Sequence, residues 1–139
     1  MAQGRMINRR ISKSDKIKDL KYDRSRVLYF MIYPWLDCEG RYSADPIDIK
    51  EDCCPRLRYS KRQIAESMID LADSGLILLY EDDDGKPYLE YTRFEEFQIG
   101  LKKNREAPSK IPIPDLVRIN SGVTPSLYLS LSLYLKKVG

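Results

Sequence analysis

Apolar positions between Ser60 and Gly75 recur at helical spacing. Ile64, Met68, Leu71 and Ala72 form one stripe, while Lys61, Arg62, Glu66, Asp70 and Asp73 fall largely on the other side. Ser60 is a good N-cap, and Gln63 three positions later completes a capping-box pattern that satisfies two orphan backbone donors reciprocally. Gly75 supplies the residue that tolerates a left-handed conformation just past a helix end. Residues 76–81 and 87–91 are then short runs rich in Leu, Ile and Tyr. Between them, Asp82-Asp83-Asp84-Gly85-Lys86 carries an Asp-Gly turn signal. The pattern predicts a capped helix running straight into a β-hairpin.

Upstream, residues 24–36 place Val27, Leu28, Met31, Ile32, Trp35 and Leu36 on a broad apolar face. Asp23 stands where it would cap this helix, and Pro34 where it would end or kink the last turn. A loop follows at 37–40, with a very short strand predicted at residues 41–43. Asp45 before Pro46 is an N-cap with proline at the first helical position, so a short helix is predicted from Pro46 to about Cys53, ended by Pro55. Residues 1–22 offer only Ile7, Ile11, Ile17 and Leu20 as anchors, with Ser14 or Asp15 able to cap a short helix, and are expected to pack loosely.

After Gln98 the periodicity is lost. Lys102-Lys103-Asn104-Arg105 is a basic patch, and Pro108, Pro112 and Pro114 mark an extended linker. Residues 126–135 then alternate Leu with Ser or Tyr at the period of a strand. That run has three open readings: a disordered tail, a self-associating strand or helix, or a remnant of a longer protein.

The order helix, short strand, short helix, capped helix, hairpin predicts an α+β, mainly α fold. It is that of a winged helix-turn-helix with a C-terminal β-hairpin wing and an extended tail. The expected organisation is a basic N-terminal arm (1–22), a winged-helix domain (23–105), and a Pro-containing linker with a low-complexity tail (106–139).

Composition narrows the class. A hydrophobic fraction of 42% and a charged fraction of 32% suit one soluble domain with a modest core. No apolar stretch resembles a signal peptide or a membrane span, so a cytoplasmic protein with no membrane partner is expected. Cys38, Cys53 and Cys54 cannot all pair, and with no histidine and no C-x-x-C they read as buried free thiols rather than a zinc site. Without histidine, a glycine-rich phosphate loop, a nucleophile elbow or a spaced acidic pair, the chain is not expected to be an enzyme, nor to hold a metal or cofactor.

The net charge of +3 conceals a segregation. Residues 1–24 carry eight Lys/Arg against three Asp, residues 25–99 nine against sixteen acids, and residues 100–139 seven against two. Basic ends flank an acidic middle, either as solvated arms or as phosphate contacts. Arg56, Arg58, Tyr59, Lys61, Arg62 and Gln63 cluster at the start of the capped helix, the end that enters the major groove in this motif. Arg and Gln can read base edges, while Lys and Tyr more often hold phosphate. Lys61 and Arg62 oppose the helix macrodipole, which calls for a reason other than helix stability. Arg9, Arg10 and Lys13 of the basic arm are further candidate DNA contacts. Glu66, Asp70 and Asp73 would repel phosphates, so only the first turns should approach DNA. The acidic tip Glu81-Asp82-Asp83-Asp84 should point away from DNA or meet a basic partner.

RMINRRISKSDKIKDL, DCEGRYSADPIDIKEDCCP, and SMIDLADSGLILLYEDDDGKPYLEYTRFEEFQ followed by NREAPSKIP together resemble the N-terminal domain of phage replisome-organiser proteins, related to DnaD-like primosomal proteins. The resemblance covers about residues 5–112. It implies a winged helix that binds double-stranded DNA in the initiation of phage or prophage replication, commonly as a homo-oligomer. It also implies host helicase-loading or primosomal proteins as partners of a separate downstream segment. The chain departs from the family at Phe97, where an FxxHQ-like motif would have histidine and where an aromatic suits packing. Against that family the chain is also expected to end too early to hold a full helicase-loader-binding domain. The alternatives are a protein-interaction winged helix, whose acidic middle docks a basic partner, and a transcriptional regulator.

Overall fold

The computed structural model describes residues 3–94, 98 and 106–114. A 3-10 turn at Arg9–Lys13 leads to α1 (Asp15–Lys18) and α2 (Asp23–Ile32), which tightens into a second 3-10 turn at Tyr33–Trp35. Then come β1 (Arg41–Ser43), α3 (Pro46–Asp48) with its π-helical continuation Ile49–Cys53, α4 (Lys61–Asp73), β2 (Ile77–Glu81) and β3 (Pro87–Tyr91). The described residues make an α+β, mainly helical fold whose three strands form one antiparallel sheet of order β1-β3-β2.

Local signals account for most of these boundaries. Ser60 Oγ accepts from Gln63 N–H while Gln63 Oε1 accepts from Ser60 N–H, closing the capping box at the start of α4. At the other end Gly75 takes φ +83°; its N–H bonds Ala72 O and the Leu76 N–H bonds Leu71 O, a Schellman ending. Asp45 caps α3 through Ile47 N–H with Pro46 at the first position, and Ser14 caps α1. Pro34 falls inside the 3-10 turn that ends α2. In the hairpin turn, Asp82 Oδ1 accepts from the Asp84 and Lys86 N–H groups and Gly85 takes φ +82°.

The start of α2 departs from the sequence expectation. Asp23 does not cap it: the residue lies within the helix and pairs with Arg26 at 2.8 Å, and Tyr22 at the N-cap position makes no side-chain cap. The acceptor comes from α4 instead. Asp70 receives the backbone N–H groups of Lys21 (3.0 Å) and Tyr22 (3.3 Å) and the Ser25 hydroxyl (2.7 Å). A carboxylate is favoured there, where unpaired N–H groups and the positive end of the helix dipole meet. Asp70 is therefore 5% exposed rather than on the solvent side of α4.

The core joins α2, α3, α4 and the sheet through Leu28, Ile32, Ile49, Ile64, Met68 and Leu89. Tyr29 stacks on Tyr91 with ring centroids 4.5 Å apart, Tyr33 meets Tyr91 edge-on, and the buried Tyr91 hydroxyl donates to Tyr29 O. Gly40 takes φ +78°, and a Cβ there would stand 2.6 Å from Phe94 Cγ, so this turn has room only for glycine. All three cysteines are buried and free. Burial pushes the Cys53 thiol up to about 12 and raises Cys54, which leaves both protonated near neutral pH.

The described parts of the two flanks lie against this core. Leu20 is buried, and Arg5 bonds both Leu36 O and the Glu106 carboxylate. Residues 106–114 are extended, as expected of a linker, yet they pack as a strap. Cys38 Sγ contacts Ala107 O, Ser109 Oγ donates to Asp37, the Tyr80 hydroxyl donates to Pro112 O, and Pro114 is buried. Residues 3–22 are likewise held more closely than their sparse anchors suggest, because backbone and guanidinium hydrogen bonds supplement the apolar contacts. Phe97, the 102–105 patch and the 126–135 run lie outside the described residues.

Candidate nucleic-acid interface

The connector between α3 and α4 brings the first group of candidate residues to one end of α4. Leu57 N–H bonds Cys54 O, the Lys50 ammonium bonds Leu57 O, and Leu57 and Tyr59 turn toward the core. That alternation leaves Arg56 and Arg58 outside, next to Lys61 and Arg62 on the first turn of α4. All four cations are exposed, and none makes a hydrogen bond or ion pair with another described residue.

Two members of the group have other work. Gln63 Oε1 is held by the Ser60 N–H, so bidentate base reading by Gln63 would break the cap that starts the helix. Tyr59 is half-buried against the core.

The acids expected to repel phosphate are largely accounted for. Asp70 is internal. Glu66 lies 3.6 Å from the Arg24 guanidinium, which also donates through Nε to Gln63 O and Ser67 Oγ and covers the Tyr22 ring at 3.8 Å. Arg24 comes from α2, and nothing local to residue 24 signals a contact about forty residues away. With Glu66 paired and Asp70 buried, the first two turns of α4 present mainly positive charge.

Arg9, Arg10 and Lys13 do not join this group. Their 3-10 turn lies beside Leu76 and Thr92, just beyond the C-terminal end of α4, where Lys16 also reaches Gly75 O at 3.4 Å. A helix of 13 residues is about 20 Å long, so the two basic groups stand at opposite ends of α4. The path of residues 3–22 sets this separation, and residue spacing carries no sign of it.

Among the described residues, no three His, Cys, Asp or Glu side chains are placed to hold a metal ion, and no helix is long and apolar enough to cross a membrane. In comparisons with known proteins, the chain matches no family model, no curated protein and no solved structure.

Proposed function

We propose that the chain is a winged helix that binds double-stranded DNA through the N-terminal end of α4. The observation that carries this reading is the group Arg56, Arg58, Lys61 and Arg62: four exposed cations without protein partners among the described residues, two of them in a helix turn whose dipole disfavours them. Such charges do little for the fold and suit phosphate and guanine contacts. The order helix, strand, helix, helix, hairpin and the strand order β1-β3-β2 support a winged-helix reading, with α4 as recognition helix and β2–β3 as wing. The setting, initiation of phage or prophage replication, rests on the family resemblance alone.

The test is fluorescence anisotropy of a labelled duplex across a salt series. The intact chain should bind with log affinity falling linearly against log salt. Arg58→Ala, Lys61→Ala and Arg62→Ala together should weaken binding by about tenfold or more and, if each cation holds one phosphate, reduce the slope by about 3. Unchanged affinity in the triple variant would remove the assignment.

A further inference from the structure

Packing leaves little of α4 with which to read a base. Ile64, Ala65, Met68 and Leu71 are fully buried, and Ser67 and Asp70 are turned to α2. Past the first residue, the side chains left at least partly open on one face are Arg62, Glu66, Ile69 and Asp73, the i, i+4, i+7, i+11 spacing of a single helical strip. Arg62 and Glu66 are its polar members in the first two turns. They stand about 6 Å apart along the axis, roughly two base-pair steps.

Glu66 is the member that needs an account. Its side chain is 37% exposed, and its carboxylate accepts no hydrogen bond from any described residue. The Arg24 guanidinium stands 3.6 Å away and offsets its charge, yet that group is fixed by other contacts. Arg24 Nε donates to Gln63 O at 3.3 Å and to Ser67 Oγ at 3.1 Å, and the guanidinium covers the Tyr22 ring. The carboxylate therefore keeps its lone pairs open to a donor from outside, at a place where its charge is already balanced.

We propose that Glu66 is a specificity residue that accepts from the exocyclic amino group of cytosine in the major groove, with Arg62, one turn before it, on guanine; this rests on the DNA-binding reading above. A carboxylate matches cytosine N4, and a guanidinium matches guanine O6 and N7. Phosphate is closed to Glu66 by its sign, so its place at a DNA surface is a base edge. Arg24 lets an acid approach the groove at all, because its charge offsets the repulsion that a bare carboxylate would meet.

The experiment selects duplexes from a randomised pool with the full chain and sequences the bound fraction. The selection is repeated with Glu66→Gln and Glu66→Ala, thermal melts reporting that the variants are folded. The parent should enrich a motif with a pair of G·C positions roughly two steps apart. Glu66→Gln should turn one of them to A·T, because an amide pairs with adenine N6 and N7, and should leave the other unchanged. In anisotropy titrations the parent should hold the enriched duplex about tenfold tighter than its A·T counterpart, and Glu66→Ala should hold the two equally. Glu66→Ala should bind scrambled duplex no more weakly than the parent, since a negative charge has been removed. A Glu66 that served only to pair with Arg24 would leave the enriched motif the same in all three proteins. That result, or a parent that binds duplex with no base preference, would overturn the inference while leaving DNA binding in place. A parent that binds no duplex at low salt would overturn both.

Discussion

The two ends of α4 hold cations in opposite circumstances. At its start Lys61 and Arg62 stand against the positive end of the helix dipole without described partners; past its end Lys16 reaches Gly75 O, a carbonyl at the negative end, which also accepts from Thr92 Oγ1 at 2.8 Å. In the sequence these are interchangeable basic residues. The dipole separates them into charges that oppose the helix and a charge that supports it, and only the first kind asks for an explanation outside the fold.

The sharpest way to break that comparison is to remove the carboxylate that fixes α4 to the segment carrying Lys16. Asp70→Ala leaves two backbone N–H groups and the Ser25 hydroxyl without their acceptor in a buried site, and should cost about 3 kcal/mol or more in urea denaturation. Ser60→Ala removes half of the capping box; it should cost about 1 kcal/mol, and by fraying the turn that carries Lys61 and Arg62 it should also weaken duplex binding. A direct contrast comes from the lysines themselves. Lys16→Ala should lower stability and Lys61→Ala should raise it, each by about 0.3–1 kcal/mol at low salt and less at high salt. The smallest effect concerns the strap. The hydrogen bond from Arg5 lowers the Glu106 pKa in the folded chain, so the pair contributes stability that is fully present above the ordinary carboxylate pKa and is lost as pH falls through the lowered value. Protection of the amides in residues 106–114, taken relative to intrinsic exchange at each pH, should therefore fall on acidification into that range, and Glu106→Gln should abolish the dependence.

What could be read from the sequence was whatever neighbours in the chain decide. The capping box at Ser60 and Gln63, the turns at Gly75 and Gly85 and the Asp45-Pro46 start of α3 all rest on interactions within a few positions, whereas the three-residue β1 is held by Tyr88, Leu89 and Glu90 of β3, far along the chain. Asp70 was misplaced because its donors lie 45 to 49 residues away, and an aspartate on a helix otherwise marks the wet face. The packing of 3–22 and 106–114 was hidden for the same reason: Arg5 and Glu106 stand 101 positions apart. In the candidate interface, the exposure of Arg56, Arg58, Lys61 and Arg62 followed from their place around a cap. The engagement of the Gln63 side chain in the cap was legible as well, since the pattern that marks the helix start is the one that holds it. That Arg9, Arg10 and Lys13 belong to the other end of α4 depends on the route of the chain, which no local pattern encodes.

Asp70 also bears on the order in which the molecule assembles. Its helix can begin from the capping box alone, but the carboxylate has no partners until residues 21–25 have crossed to it, and those residues have no local cap of their own. The start of α2 should consequently be late to protect in a pulsed hydrogen-exchange refolding experiment, behind the amides of α4 and the hairpin. Once formed, the Lys21 and Tyr22 amides should exchange only as slowly as the contact between the two helices opens, making them reporters of that single event.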